Sequence, residues 1–94
     1  MYALFETKKF KKDLKKIAKR SKTELNLCFD VMDILQTSGV EGIPLKMIPH
    51  KLSGNFNEHW ECHIKHDLLI IWLQFESPKS ITLIRVGTHA ELFK

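Results

Sequence analysis

The sequence predicts an α+β fold, with an N-terminal strand and a two-helix hairpin packed on a small twisted sheet that a C-terminal three-stranded antiparallel meander completes. Three observations predict it. Phe10, Leu14 and Ile17 recur at helical spacing inside a lysine-rich stretch. A second pattern of the same period, with a wider apolar arc, runs from Ser21 to Gly39. Beyond residue 58 the pattern switches to alternation and then to a continuous apolar run. Helices that precede strands in this way pack on one face of a sheet, and the other face is expected to be open and partly polar.

Tyr2–Glu6 is short and apolar, as a strand is. Thr7 is placed to cap a helix over Lys8–Arg20. Ser21 and Glu24 form an S-x-x-E capping box that opens a second helix. Leu25, Cys28, Met32 and Leu35 share a face of it, flanked by Leu27, Val31 and Ile34, and Gly39 supplies its end. Gly42, Pro44 and Pro49 then punctuate a loop that delivers His50. Glu58–Lys65 alternates, with Trp60, Cys62 and Ile64 on one face and Glu61, His63 and Lys65 on the other. His66-Asp67 is a turn, Leu68–Phe75 a strand buried on both faces, and Glu76–Lys79 a second turn. Ile81–Val86 is the third strand of the meander, with Arg85 opposite Ile84 and Val86, and Thr88–Phe93 has room for one helical turn. Residues 1–94 form a single domain without repeats.

Composition narrows the function classes. An apolar share of 44% with 28% charged residues suits a folded globular chain. The longest apolar run, residues 68–73, has strand length, too short to cross a bilayer. The N-terminal apolar stretch is too short for a signal peptide, so the expected compartment is the cytoplasm. Cys28 and Cys62, both among apolar neighbours, fit buried free thiols. Nine of the fifteen Lys and Arg residues lie between Lys8 and Lys22, opposed only by Asp13. Such a block suits a phosphate-bearing partner and equally a solvated helix face.

The chemistry concentrates in residues 50–93, which carry His50, His63, Asp67, Arg85 and His89. Imidazole exchanges protons near neutral pH, and an aspartate can orient it. Two histidines and a cation therefore suit RNA cleavage without a metal: a base for the 2′-OH, charge for the phosphorane-like transition state and an acid for the leaving oxygen. His63, Arg85 with nearby lysines, and His89 can fill those roles. Structural histidines are the plainer reading, and the one adopted for His59 and His66. Zinc ligation has no support from a helical H-x-x-x-H pair or a C-x-x-C.

Taken as strings, HKLSGNF, ECHIKHDLLIIW and RVGTHAELF resemble the YafQ branch of the RelE/ParE toxin superfamily, the toxic halves of bacterial type II toxin–antitoxin pairs. The resemblance spans nearly the whole chain. It implies a ribosome-dependent mRNA endoribonuclease that needs no metal or other cofactor. It places the family's site on His50, His63, Asp67 and His89, with Phe93 against a base. His89 resembles the general acid, and His63, Asp67 and His50 arrange the 2′-OH and phosphate. RNA or phosphate contacts are expected from Arg85, Lys51, Lys65, Lys8, Lys11, Lys12 and Lys15. The implied partners are mRNA on the ribosome and a cognate antitoxin whose acidic helical segment covers a basic cleft; the free toxin is expected to be a monomer. His66-Asp67-Leu68 stands where members commonly have Pro-Asp-Trp, and Trp60 where many carry arginine, which puts base preference in question. A gyrase-inhibiting ParE-like relative and a plain RNA-binding domain are the competing readings.

Overall fold

The computed structural model describes residues 1–93. Strand β1 (Ala3–Glu6) leads into helix α1 (Lys8–Arg20), capped by the Thr7 hydroxyl, which accepts from Phe10 N. The same hydroxyl donates to Ile84 O and fixes the start of the helix to the sheet. Phe10 and Ile17 are buried, Leu14 packs beside them, and Lys8, Lys11, Lys12 and Lys15 stay exposed. Helix α2 (Lys22–Ser38) starts at Ser21, whose hydroxyl accepts from Glu24 N. Only half of the predicted capping box forms there. The Glu24 carboxylate reaches Lys65 (2.9 Å) and Arg20 (3.4 Å) instead of turning back. Gly39 ends α2 at φ 67°, where a Cβ would lie 2.8 Å from the Tyr2 ring and from Gln74 Nε2, so both backbone angle and space require glycine.

The linking loop holds two short 3₁₀ turns, Gly39–Gly42 and Leu45–Met47, and then an unpredicted two-residue strand, β2 (His50–Lys51). Strands β3 (Trp60–Lys65), β4 (Leu68–Glu76) and β5 (Lys79–Gly87) follow, and helix α3 (His89–Leu92) closes the fold. The sheet order is β1-β5-β4-β3-β2. β1 runs parallel to β5, and the other pairs are antiparallel. This is the α+β architecture that the sequence predicts, with the last strand inserted between the first and the rest of the meander.

Two apolar clusters sandwich the sheet. The larger joins Phe10, Ile17, Cys28, Val31 and Leu35 of the helices to Cys62, Ile70, Trp72, Ile81 and Leu83. Trp60 stacks on Trp72, with ring centroids 6.5 Å apart. The second sets Leu69, Ile71 and Leu92 against Leu52, Phe56 and Ile84. The helix-free face is therefore not open along its length, contrary to the open face that the sequence predicts. The segment around Phe56 and helix α3 cover its middle, because β4 is apolar on both sides.

The pairing register shifts at Ile64 in β3 and at Ile84 in β5, each an extra residue against β4. The β5 bulge separates Ile84, in the second cluster, from Val86, in the first, although the alternation pattern puts them on one face. Cys28 and Cys62 are buried free thiols, and burial pushes them up to about 11 and about 12.

Charged groups lock the helices to the end of the sheet. Asp13 of α1 accepts from Arg85 Nε (2.7 Å), from Arg85 Nη2 (3.2 Å) and from Val86 N (3.0 Å). Thr88 and Glu91 form a full capping box on α3, and the Glu91 carboxylate also meets Arg20 (3.1 Å) and Lys16 (3.5 Å). The Thr88 N–H, followed by Arg20 and Lys16, holds the Glu91 carboxyl down at about 2.

Asp13→Ala leaves the Arg85 guanidinium and Val86 N–H without their acceptor. It should lower the unfolding free energy by about 2–4 kcal/mol, read from the urea midpoint at unchanged slope. Glu91 has its folded value depressed, so its stabilisation is present above the ordinary carboxylate range and is lost as pH falls from about 4.5 toward about 2. Acid unfolding of Glu91→Gln should lack that part of the pH dependence, and unfolding curves collected from pH 5 to 2 check it.

Candidate active site

The register puts the polar residues on one face. His50 pairs across the sheet with Glu61, Glu61 with Ile71, and His63 with Leu69. Directly paired residues share a face. His50, Glu61 and His63 thus lie on the helix-free side with Leu69 and Ile71. Leu69 also pairs with Gly87, so β5 delivers His89 beside His63 two residues later.

The result is a row of rings. His50 and His63 lie 6.5 Å apart, centroid to centroid, and His63 and His89 lie 6.0 Å apart. His89 and Phe93 are separated by 5.8 Å, and Phe93 meets Phe56 edge-on at 5.8 Å. The Asp67 carboxylate accepts from His89 N (3.0 Å) and faces His89 Nδ1 (3.4 Å). The backbone N–H of His89 is the main cause that lowers the Asp67 carboxyl below its usual range, and the His89 ring adds to it. Asp67 therefore orients the end of α3 as well as the imidazole. His50 Nδ1 donates to Ile48 O (2.8 Å), and Nε2 lies 3.2 Å from Glu61 Oε1. Among the described residues His63 has no hydrogen-bonding partner, and its ring is the least constrained of the three.

A cleft of about 830 Å³ opens beside this row, lined by His63, Lys65, His66, Asp67 and His89 and by Leu27, Lys46, Met47, Ile48 and Ile64. A smaller hollow of about 250 Å³, between Leu52, Ser53, Asn55, Phe56, Leu92 and Phe93, continues past Phe93. Exposed Phe93 offers an aromatic surface between the two.

Not every residue expected to contact RNA joins this group. Arg85 is turned toward α1, where Asp13 binds its guanidinium bidentately and keeps it strongly protonated. Lys65 borders the cleft, but its ammonium is bound to Glu24 and holds that carboxyl low. Lys51 pairs with Glu58 (3.3 Å) and lies over the Trp60 ring, away from the cleft. Lys8, Lys11, Lys12 and Lys15 sit on α1, the helix packed on the opposite face of the sheet. His59 packs on Phe56 and faces Asn57 O, as a structural histidine does.

Two groups are additions to the sequence reading. Lys46 borders the cleft from a loop with no readable pattern. Glu61 is 3% exposed, although alternation placed it on a polar face; finding it required knowing that His50 begins a strand. No set of three His, Cys, Asp or Glu side chains among the described residues is grouped to hold a metal ion. No described helix is long and apolar enough to cross a membrane.

Residues 2–94 match the family described as the bacterial toxin of the type II toxin–antitoxin system, YafQ. No curated protein matched the sequence. Among solved structures, a metal-bound toxin from Helicobacter pylori is similar at 34% identity and TM-score 0.85, over 99% of this chain and all of its own. The Helicobacter pylori conserved hypothetical protein HP0892 gives 36% identity and TM-score 0.72 over the same shares. YafQ in the Escherichia coli DinJ–YafQ complex gives 26% and 0.87, over the whole of both chains. The fold, the family match along the chain and the row of histidines on its helix-free face agree, and this chain belongs to the YafQ family of toxins of bacterial type II toxin–antitoxin systems.

Proposed function

We propose that this toxin is a metal-independent endoribonuclease that cuts mRNA on the ribosome. The observation that carries the reading is the row of three imidazoles, spaced by 6.5 and 6.0 Å, with Asp67 on His89 and Phe93 beyond it. A phosphodiester with its flanking ribose fits along such a row. His63 takes the 2′-OH proton as O2′ attacks phosphorus. His89, oriented by Asp67, gives a proton to the departing 5′-oxygen, leaving a 2′,3′-cyclic phosphate and a 5′-hydroxyl. His50 lies on the far side of His63 and supplies charge or a donor to the phosphate oxygens. Phe93 carries a base by stacking.

The same reading supplies the partners. A cognate antitoxin covers the cleft with an acidic helical segment: Lys46 and Lys65 offer positive charge, and Leu27, Met47, Ile48 and Ile64 an apolar wall. The complex of Escherichia coli YafQ with DinJ supports a partner of this kind. The free toxin is read as a monomer that works in the cytoplasm. A gyrase-type inhibitor gives no chemical reason for three imidazoles and a carboxylate in one row.

Induced expression followed by mapping of mRNA 5′ ends tests the activity. Cleavage should be clear with the natural chain and fall by about 10²–10⁴ in rate with His89→Ala, without change on adding a chelator. Undiminished cleavage by that variant removes the acid, and loss on chelation removes the metal-free mechanism. Phe93→Ala should weaken RNA binding by about 1–3 kcal/mol with fold intact, measured by fluorescence titration.

A further inference from the structure

Helix α3 is a single turn of four residues, His89–Leu92. A turn that short does not hold itself in water, because nucleating a helix fixes several residues for one hydrogen bond. Packing does not hold its first residue either: the His89 side chain is 59% exposed, and the Asp67 side chain that meets it is 55% exposed. Leu92 is buried in the second cluster and anchors the far end of the turn. The tilt of the turn about that anchor, and with it the place of the His89 ring, is left to polar contacts.

Glu91 supplies them from the other side, since residues two apart on a helix point in nearly opposite directions. One carboxylate oxygen accepts from Thr88 N at 2.8 Å, and the other accepts from Arg20 Nη1 of α1 at 3.1 Å. Gly87 makes room for this group: a Cβ there would stand 2.6 Å from Glu91 Oε1, so the carboxylate lies over a bare Cα. Arg20 Nε in turn donates to Glu24 Oε1 of α2 (3.4 Å), and Glu24 Oε2 meets Lys65 at the end of β3 (2.9 Å). Two residues beyond Lys65 stands Asp67, whose carboxylate accepts from His89 N (3.0 Å). The contacts close a circuit, from α3 through α1 and α2 to the β3–β4 turn and back to α3. Arg20 is its hub, with one nitrogen on Glu91 and another on Glu24. Partly exposed pairs of this kind contribute little to overall stability, so the circuit is better placed to fix an angle than to hold the fold together.

We propose that Arg20, acting through Glu91, is a positioning residue that fixes the tilt of α3 and so holds the His89 ring against Asp67 and beside His63. Only the effect on cleavage rests on the nuclease reading.

Arg20→Gln and Glu91→Gln test the assignment. Gln at position 91 still accepts from Thr88 N, so the helix cap survives and the tie to α1 is lost. Amide hydrogen exchange of the free chain, followed residue by residue by NMR, reads the hold on α3 without substrate. The amides of His89, Leu92 and Phe93, which bond to Asp67, Thr88 O and His89 O, should exchange at least about tenfold faster in each variant, while those of Ile70 and Trp72 in β4 stay unchanged. On ribosomes programmed with mRNA, the cleavage constant at saturating toxin should fall about 3- to 30-fold in each, with the half-saturating toxin concentration within about twofold of the natural chain's. The double variant should be no slower than the slower single one, because both substitutions remove the same contact. Unchanged exchange at His89 overturns the proposal, and so does faster exchange spread equally over β4, the mark of general destabilisation. Cleavage losses that add in the double variant overturn it as well. Arg20 is on the surface, so Arg20→Gln decides should Glu91→Gln fail to fold. If the natural chain cuts no RNA the nuclease reading falls, while exchange at His89 still decides the role of Arg20.

Discussion

Leu68, Leu69, Ile70, Ile71 and Trp72 are all shielded from solvent, and alternate side chains of a strand face opposite ways. One strand therefore demands apolar cover on two sides. The helical hairpin supplies it for Leu68, Ile70 and Trp72; the segment around Phe56 and the short C-terminal helix supply it for Leu69 and Ile71. That second cover determines where the row of histidines forms. The pieces that close over Leu69 and Ile71 also bring His50 from one edge and His89 with Phe93 from the other. The burial of Leu92 anchors the helix that holds His89.

The basic charge of the chain divides into two populations. Lys16, Arg20, Lys65 and Arg85 are engaged with Glu91, Glu24 and Asp13 and join α1, α2, β3, β5 and α3 near the end of the sheet that carries the site. Of these the Arg85–Asp13 pair is the more buried and is destabilising to break, while the more exposed pairs contribute little to stability. The lysines on the outer side of α1 remain in solvent and contribute long-range attraction for a polyanion, which weakens with salt. A large net charge in a small toxin thus does not translate into a ring of phosphate ligands around the histidines.

The elements read from sequence correspond closely to the fold where periodicity was strong. Thr7, Ser21 and Gly39 bound the helices at the predicted places, and His63 and His89 are drawn together as their strand and tail positions suggested. What escaped has a common cause. β2 is only two residues long and carries no period. The bulges at Ile64 and Ile84 shift the register by one residue, and such shifts reverse the faces that alternation assigns. Glu61 escapes the sequence pattern through the unseen partner strand, and Arg85 because the carboxylate that binds it, Asp13, lies in α1, far away in the chain. Sheet order was not legible either, because β1 and β5 meet across most of the chain.

Cys62 lies between Glu61 and His63 in the chain, yet its thiol points to the opposite face, fully buried under the helical hairpin. A thiol held near 12 and shut from solvent is inert to alkylating reagents while the sheet stays packed. The rate at which that sulfur becomes labelled therefore measures how often the floor of the histidine row lifts from the helices. The chain carries its own clock for local opening, placed one residue from Glu61 and one from His63.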